Sequence, residues 1–188
     1  MVLRSGLLLA CLLASGCAWE TPPADTARLP PNAFGVYADG DIGAINQAAW
    51  AFASPARTRN DPADAARAVA AVDYLAGELN TSPRWQFMSV LTKMEMLQAR
   101  AEVRQAMGIG SAAPSQEVVN RMLFTADALR AGDQPAAVAA LQGPFFSRPP
   151  QQTLAMLSNM PYLREANVAS QHAAAQQQPG GNANVFDH

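Results

Sequence analysis

The sequence predicts an all-α fold, a small helical bundle of five to seven helices. Apolar residues recur at helical spacing in successive segments, and no stretch alternates polar and apolar residues long enough to make a strand. Two start signals, Asp61-Pro62 and Ser82-Pro83, each combine an N-cap acceptor with a proline in the first turn. A chain of 188 residues can bury one sizeable apolar core.

Start and stop signals divide this region into its elements. Helices are expected at about residues 41–54, 62–79, 83–107, 115–131, 134–142, 150–159 and 161–176. Asp41, Asp61 and Asp133 supply side chains that can cap three of these helices, and Gly108 and Gly132 can end two.

The segment 83–107 is expected to be the central helix, because its apolar residues form two opposite stripes when placed 100° apart. One stripe comprises Phe87, Val90, Met94, Leu97 and Ala101. The other comprises Trp85, Met88, Met96, Ala99, Val103 and Ala106. A helix with two apolar faces needs cover on both sides, which only the middle of a bundle provides.

The first residues of the chain resemble the signal of a bacterial lipoprotein. Arg4 precedes an apolar run too short to span a bilayer, and Leu-Ala-Ser-Gly at residues 13–16 leads into Cys17. The resemblance implies that residues 1–16 are a signal peptide, cleaved just before a cysteine that receives a diacylglyceryl group. Cys11 also fits the pattern, but the apolar run before it has only about six residues.

The same resemblance implies a location and a first partner. Ala18 beside the acylated cysteine, instead of Asp, favours the outer membrane, with the domain on its periplasmic side. The membrane is then contacted through the lipid on Cys17, and no other cofactor is expected. Removing Arg4 with the signal leaves twelve basic and fifteen acidic side chains, a net charge of −3, and no polybasic run. Nucleic acid is therefore not an expected partner.

Four regions follow from these observations. The signal peptide occupies residues 1–16, and residues 17–40 form a lipidated cysteine and a Pro-rich, extended spacer. The all-helical domain spans residues 41–176. Residues 177–188 form a polar tail with nothing to bury, and this tail is expected to be disordered.

Residues 126–141 resemble a tetratricopeptide helix-turn-helix. The likeness lies in the Ala and Leu spacing, the Gly132-Asp133 turn and the Ala-rich second helix. No second copy follows at a period of about 34 residues. Because any alanine-rich helical hairpin gives this pattern, the resemblance implies a way in which two helices pack and not a repeat protein.

The supply of reactive side chains argues against several classes of enzyme. His172 and His188 are the only histidines, and both cysteines lie in the signal region. Ser-His, Cys-His and histidine-zinc constellations are therefore not expected, and no metal site is predicted. Met94 and Met96 suit copper(I) chemically, but two residues apart on a helix they point in nearly opposite directions.

Two other groups of residues deserve consideration. Glu95 and Glu102 share a helix edge and could form an acid/base pair, but flanking basic residues indicate a solvated edge without a catalytic role. Phe145, Phe146 and Arg148 lie in a loop bounded by prolines. This loop could contact a partner, or its aromatic rings could cap the core.

The sequence thus favours a lipid-anchored envelope protein that is a non-enzymatic structural or interaction module with an envelope protein partner. One alternative is a helical binding protein for an apolar ligand. The other is a cell-wall-active enzyme that uses Glu95 or Glu102.

Overall fold

The computed structural model describes residues 24–35 and 39–178, and it confirms the all-α class. Within these residues there are seven α-helices and no strand, apart from a single antiparallel bridge between Ile109 and Phe146. The helices are α1 (Gly40–Phe52), α2 (Pro62–Thr81), α3 (Val90–Met107), α4 (Ser115–Arg130), α5 (Gln134–Ala140), α6 (Pro150–Ser158) and α7 (Arg164–Ala175).

Helix α2 is the centre of the bundle. It packs against α1, α3, α4 and α6, and fourteen of its twenty residues are buried. Its buried positions are mostly Ala and Val, with one glycine, and such small side chains let neighbouring helices approach from several sides. Helix α7 packs against α1 and α3, while α5 lies against α4 and α6.

The prediction that segment 83–107 is the central helix is wrong on two counts. Residues 83–85 form only a 3₁₀ turn, and α3 begins at Val90 after Ser89, whose hydroxyl accepts from the Thr92 amide at 3.1 Å. Only one of its two apolar stripes is covered. Its end is as predicted, because Gly108 takes the left-handed conformation at φ 73°.

Two of the three predicted aspartate caps are confirmed. Asp61 and Asp133 cap α2 and α5 as predicted. The cap of α1 is Asp39 and not Asp41, because the Asp39 carboxylate accepts from the Asp41 and Ile42 amides. Asp41 instead accepts from the Trp85 indole at 3.2 Å, which ties α1 to the turn before α3.

The described part of the predicted spacer, residues 24–35, contains no helix and lies against the domain. Ala27 and Phe34 are buried, and the Arg28 amide donates to the Gln116 side chain at 2.7 Å. The segment crosses α2 at Gly77, where an added Cβ would lie 2.7 Å from the Asp25 carbonyl oxygen. Glycine is therefore needed there for close approach and not for backbone freedom.

Cys17, the signal peptide and residues 179–188 of the predicted tail lie outside the described residues. None of the helices that the structure describes is both long and apolar enough to cross a membrane.

Candidate functional site

The most unusual surface of the molecule is a line of exposed apolar side chains on α3 and in the turn that precedes it. We call it the apolar stripe, and it consists of Phe87, Val90, Leu91, Met94, Leu97 and Ala101. Val90 is 72% exposed, Met94 54% and Leu97 39%. The members on α3, from Val90 to Ala101, lie on one side of the helix along about three turns, and Phe87 precedes them in the turn before α3.

The apolar stripe has the area of the largest apolar patch on a typical monomer. Its five large side chains expose roughly 500 Å² together, within the range where the largest apolar patch of a protein often has a function. The other exposed large apolar side chains among the described residues, Trp50, Phe124 and Tyr162, lie singly in three other parts of the chain. The apolar stripe therefore differs from scattered surface residues, which need no explanation.

The opposite face of α3 is covered. Met96, Ala99, Val103 and Met107 are almost completely buried where α3 packs against α2, α6 and α7. Both faces of α3 are apolar, as the helical spacing predicts. The prediction that both are covered is wrong, because the face with Met94 and Leu97 is exposed.

A cleft of about 380 Å³ adjoins the C-terminal end of the apolar stripe. It is lined by Leu97, Arg100, Ala101, Arg104, Gln105, Ile109 and Ser111. Ser111 also lines a second cleft together with Ala24 and Asp25, the first described residues of the chain. The N-terminal segment therefore reaches the domain beside this end of the stripe.

Asp25 fixes that segment to two helices. Its Oδ1 accepts from the Ser115 amide at 2.7 Å, and its Oδ2 accepts from the Ser115 hydroxyl at 2.9 Å. Its Oδ2 also lies 3.3 Å from Arg100 Nη1 and 3.4 Å from Arg104 Nη2. Since Pro114 provides no side-chain cap, Asp25 caps α4 from a distant part of the chain.

Burial alone would raise the pKa of Asp25. The hydrogen bonds from the Ser115 amide and hydroxyl, with the charges of Arg100 and Arg104, outweigh burial and hold the pKa below its ordinary value of 3.8. The carboxylate is therefore ionised at neutral pH, and the clasp between Asp25 and α4 is fully formed there.

Arg104 connects this clasp to the core. Its Nε and Nη2 donate to the two carboxylate oxygens of Asp73 at 2.8 and 2.7 Å, and both side chains are at least 96% buried. Burial lowers the pKa of Arg104, but Asp73 and Asp25 outweigh it, so the guanidinium stays charged. The pair lies between α2 and α3, and its role is structural.

Glu95 and Glu102 do not form a solvated edge, which corrects the expectation from their basic neighbours. Glu95 Oε2 lies 2.7 Å from His172 Nδ1 of α7, and the Glu95 side chain is only 15% exposed. Glu102 Oε2 accepts from the Ala166 amide at 3.0 Å, in the first turn of α7. Both carboxylates thus attach α7 to α3.

The aromatic loop packs on the end of α3. Phe145 and Phe146 are partly buried against the core, and the Gly110 amide donates to the Phe145 carbonyl at 2.8 Å. The Arg148 guanidinium donates to the Ala106 carbonyl near the end of the helix. These contacts agree with the core-capping alternative, and a partner contact by this loop stays a prediction.

Within the described residues, no three His, Cys, Asp or Glu side chains lie close enough together to hold a metal ion. No protein family model matches the chain, and no curated protein or solved structure matches it either.

Proposed function

We propose that this protein is a lipid-anchored component of the cell envelope, attached through Cys17 on the periplasmic side of the outer membrane. It acts through a contact surface and not through catalysis. The lipoprotein-like residues 13–17 support the anchor. The exposed apolar stripe on α3 is the observation that supports a contact surface.

An uncovered stripe of this size favours association. Covering roughly 500 Å² of apolar surface releases up to about 12 kcal/mol before the costs of association are subtracted. The fold does not need the stripe for its core, because the other face of α3 supplies that packing. The simplest explanation for the apolar character of the stripe is that a component of the envelope binds it and covers it.

The anchor is tested by replacing each cysteine in turn. Cys17→Ser should release the protein from the membrane fraction or leave it as an uncleaved precursor, whereas Cys11→Ser should leave it attached. Fractionation and the mass of the mature chain report both results. Loss of the lipid in the Cys11 variant alone would contradict the assignment to Cys17.

The contact surface is tested by complementation of a deletion strain. The double variant Leu91→Ser/Met94→Ser should fold normally and lose function, because both side chains are already exposed. The matched control is Phe124→Ser, which removes an equally exposed apolar side chain from α4 and should complement. Phe145→Ala/Phe146→Ala tests the aromatic loop in the same strain. Normal function of the α3 double variant would refute the role of the stripe.

A second candidate is a binding protein for an apolar ligand. The cleft beside Leu97 and Ala101 favours it, because about 380 Å³ lies at the lower end of the usual range for ligand pockets. Native mass spectrometry of the purified protein would detect a retained small molecule. The enzyme alternative has less support, since Glu95 and Glu102 already serve α7.

A further inference from the structure

We infer that the apolar stripe of α3 rests on the surface of the lipid bilayer, so that the protein contacts the membrane twice. This inference deepens the proposed function and rests on its lipid anchor at Cys17. It names the partner of the stripe as the acyl and headgroup boundary of the membrane in which Cys17 is anchored.

The chain reaches the domain at the correct place for such a contact. Asp25 is paired with Arg100, which lies on α3 one turn beyond Leu97. Ala24 lines a cleft that shares Ser111 with the cleft beside Leu97 and Ala101. The point of attachment therefore lies at one end of the apolar stripe and not on the far side of the bundle.

The connection to the anchor is short. Six residues lie between Cys17 and Ala24, so their Cα atoms are seven steps and at most about 25 Å apart even in a fully extended chain. The helical part of the apolar stripe runs from Val90 to Ala101, eleven residue steps that span about 16 Å along α3. The anchor thus keeps the stripe near the bilayer, and a weak contact becomes populated at the resulting high effective concentration.

The composition of the stripe suits insertion at the bilayer surface. It contains no charged side chain, and its edges hold Lys93 and Gln98, whose polar ends can reach headgroups. Among the described residues Lys93 has no ion-pair partner, whereas Arg84 and Arg100 are paired with aspartates. Because Lys93 is a single positive charge on the edge of the stripe, the contact depends on apolar area more than on anionic lipid.

A second copy of the chain fits the stripe less well. Roughly 500 Å² per copy is below the roughly 800 Å² that each partner buries in a standard protein interface. A two-fold antiparallel pairing centred on Met94 would also place both Lys93 side chains on the same edge, where like charges repel.

The test uses the full lipidated protein reconstituted into vesicles of phosphatidylethanolamine and phosphatidylglycerol. When Cys17 is acylated the mature chain has no free thiol, so Met94→Cys gives one labelling position for a polarity-sensitive fluorophore. The matched control is Phe124→Cys, because both positions are just over half exposed. With brominated acyl chains in the vesicles, quenching at residue 94 should exceed quenching at residue 124 several-fold.

The other outcomes are distinct. Equal quenching at both positions in an acylated protein would overturn this inference alone. Proximity between labels at residue 94 of two molecules, without quenching by lipid, would mean that a second copy covers the stripe, and would also overturn it. A preparation whose mass shows no acyl group on Cys17 would overturn the proposed anchor, and this inference with it. Exchanging phosphatidylglycerol for phosphatidylcholine should leave quenching unchanged, and a large loss would overturn the apolar contact.

Discussion

On one side of α3, Met96 and Val103 are buried where the helix packs on its neighbours, whereas on the other side Met94 and Leu97 face solvent. The two faces have similar composition and the same helical spacing. Their difference shows that periodicity identifies the residues that share a face, but not whether another element covers that face. A covered apolar face stabilises the fold, while an uncovered one is available for binding.

The largest expected effect separates these two faces directly. Met96→Asp should lower the free energy of unfolding by about 4 kcal/mol or more, because it places an unpaired carboxylate in the core and removes packing. Met94→Asp, two residues away, should change it by about 0.5 kcal/mol or less. Denaturant unfolding of both variants measures the difference. Equal losses would show that both faces are covered and would remove the apolar stripe as a binding surface.

The second effect concerns the buried basic edge of α3. Asp73→Ala should cost about 3 kcal/mol, because Arg104 would stay buried without its bidentate partner. The double variant Asp73→Leu/Arg104→Met should recover much of this loss, since no buried charge remains. Lys93→Ala, on the exposed edge of the same helix, is the control and should be nearly neutral. A loss below about 1 kcal/mol for Asp73→Ala would contradict the buried pair.

The third effect is smaller and depends on pH. The pKa of Asp25 is below 3.8 in the folded protein. The stabilisation of the fold by the ionised Asp25 carboxylate is therefore complete above that pH, and it is lost as the pH falls through the lowered pKa. Asp25→Asn should therefore cost about 1 kcal/mol at neutral pH, typical of a lost helix cap, and less in acid. The amide resonance of Ser115 should titrate below pH 3.8 in the wild-type protein. A midpoint above this value would show that the clasp does not form.

The smallest effect concerns the carboxylates that attach α7. Glu102→Gln should change the free energy of unfolding by about 0.5 kcal/mol or less, because the Gln amide oxygen can still accept from the Ala166 amide. Glu102→Ala removes this acceptor and should lower the free energy of unfolding by about 1 kcal/mol. Glu95→Gln should likewise retain the fold, and both Gln variants should complement a deletion strain. Loss of function in a well-folded Gln variant would favour the enzyme alternative.

Local signals predicted most of the helices and their ends. Asp61-Pro62, Gly108, Gly132 and Asp133 each act within one turn of their own position, and the structure has them in the expected roles. The 3₁₀ turn at residues 83–85 was missed, because Ser82-Pro83 gives a start signal whether or not the helix continues. Ser89, the actual cap of α3, is a weaker signal in the middle of an apolar segment.

The candidate site was only half predictable. The members of the apolar stripe, except Leu91, follow from helical spacing, but their exposure depends on which helices surround α3. The contact of Asp25 with Ser115 joins residues 90 apart in sequence. The sequence indicates it only indirectly, because α4 begins after Pro114, which has no capping side chain. The roles of Glu95 and Glu102 likewise require α7 to be in place.

The sequence by itself determined the helical class, most helix ends and the two apolar faces of α3, because propensity, caps and periodicity act over a few residues. Only the tertiary structure decided that α2 is central and that one face of α3 is open. The reason is physical: burial is a property of pairs of elements distant in the chain. Here the small side chains of α2 let several helices pack around it, whereas α3 is covered from one side only.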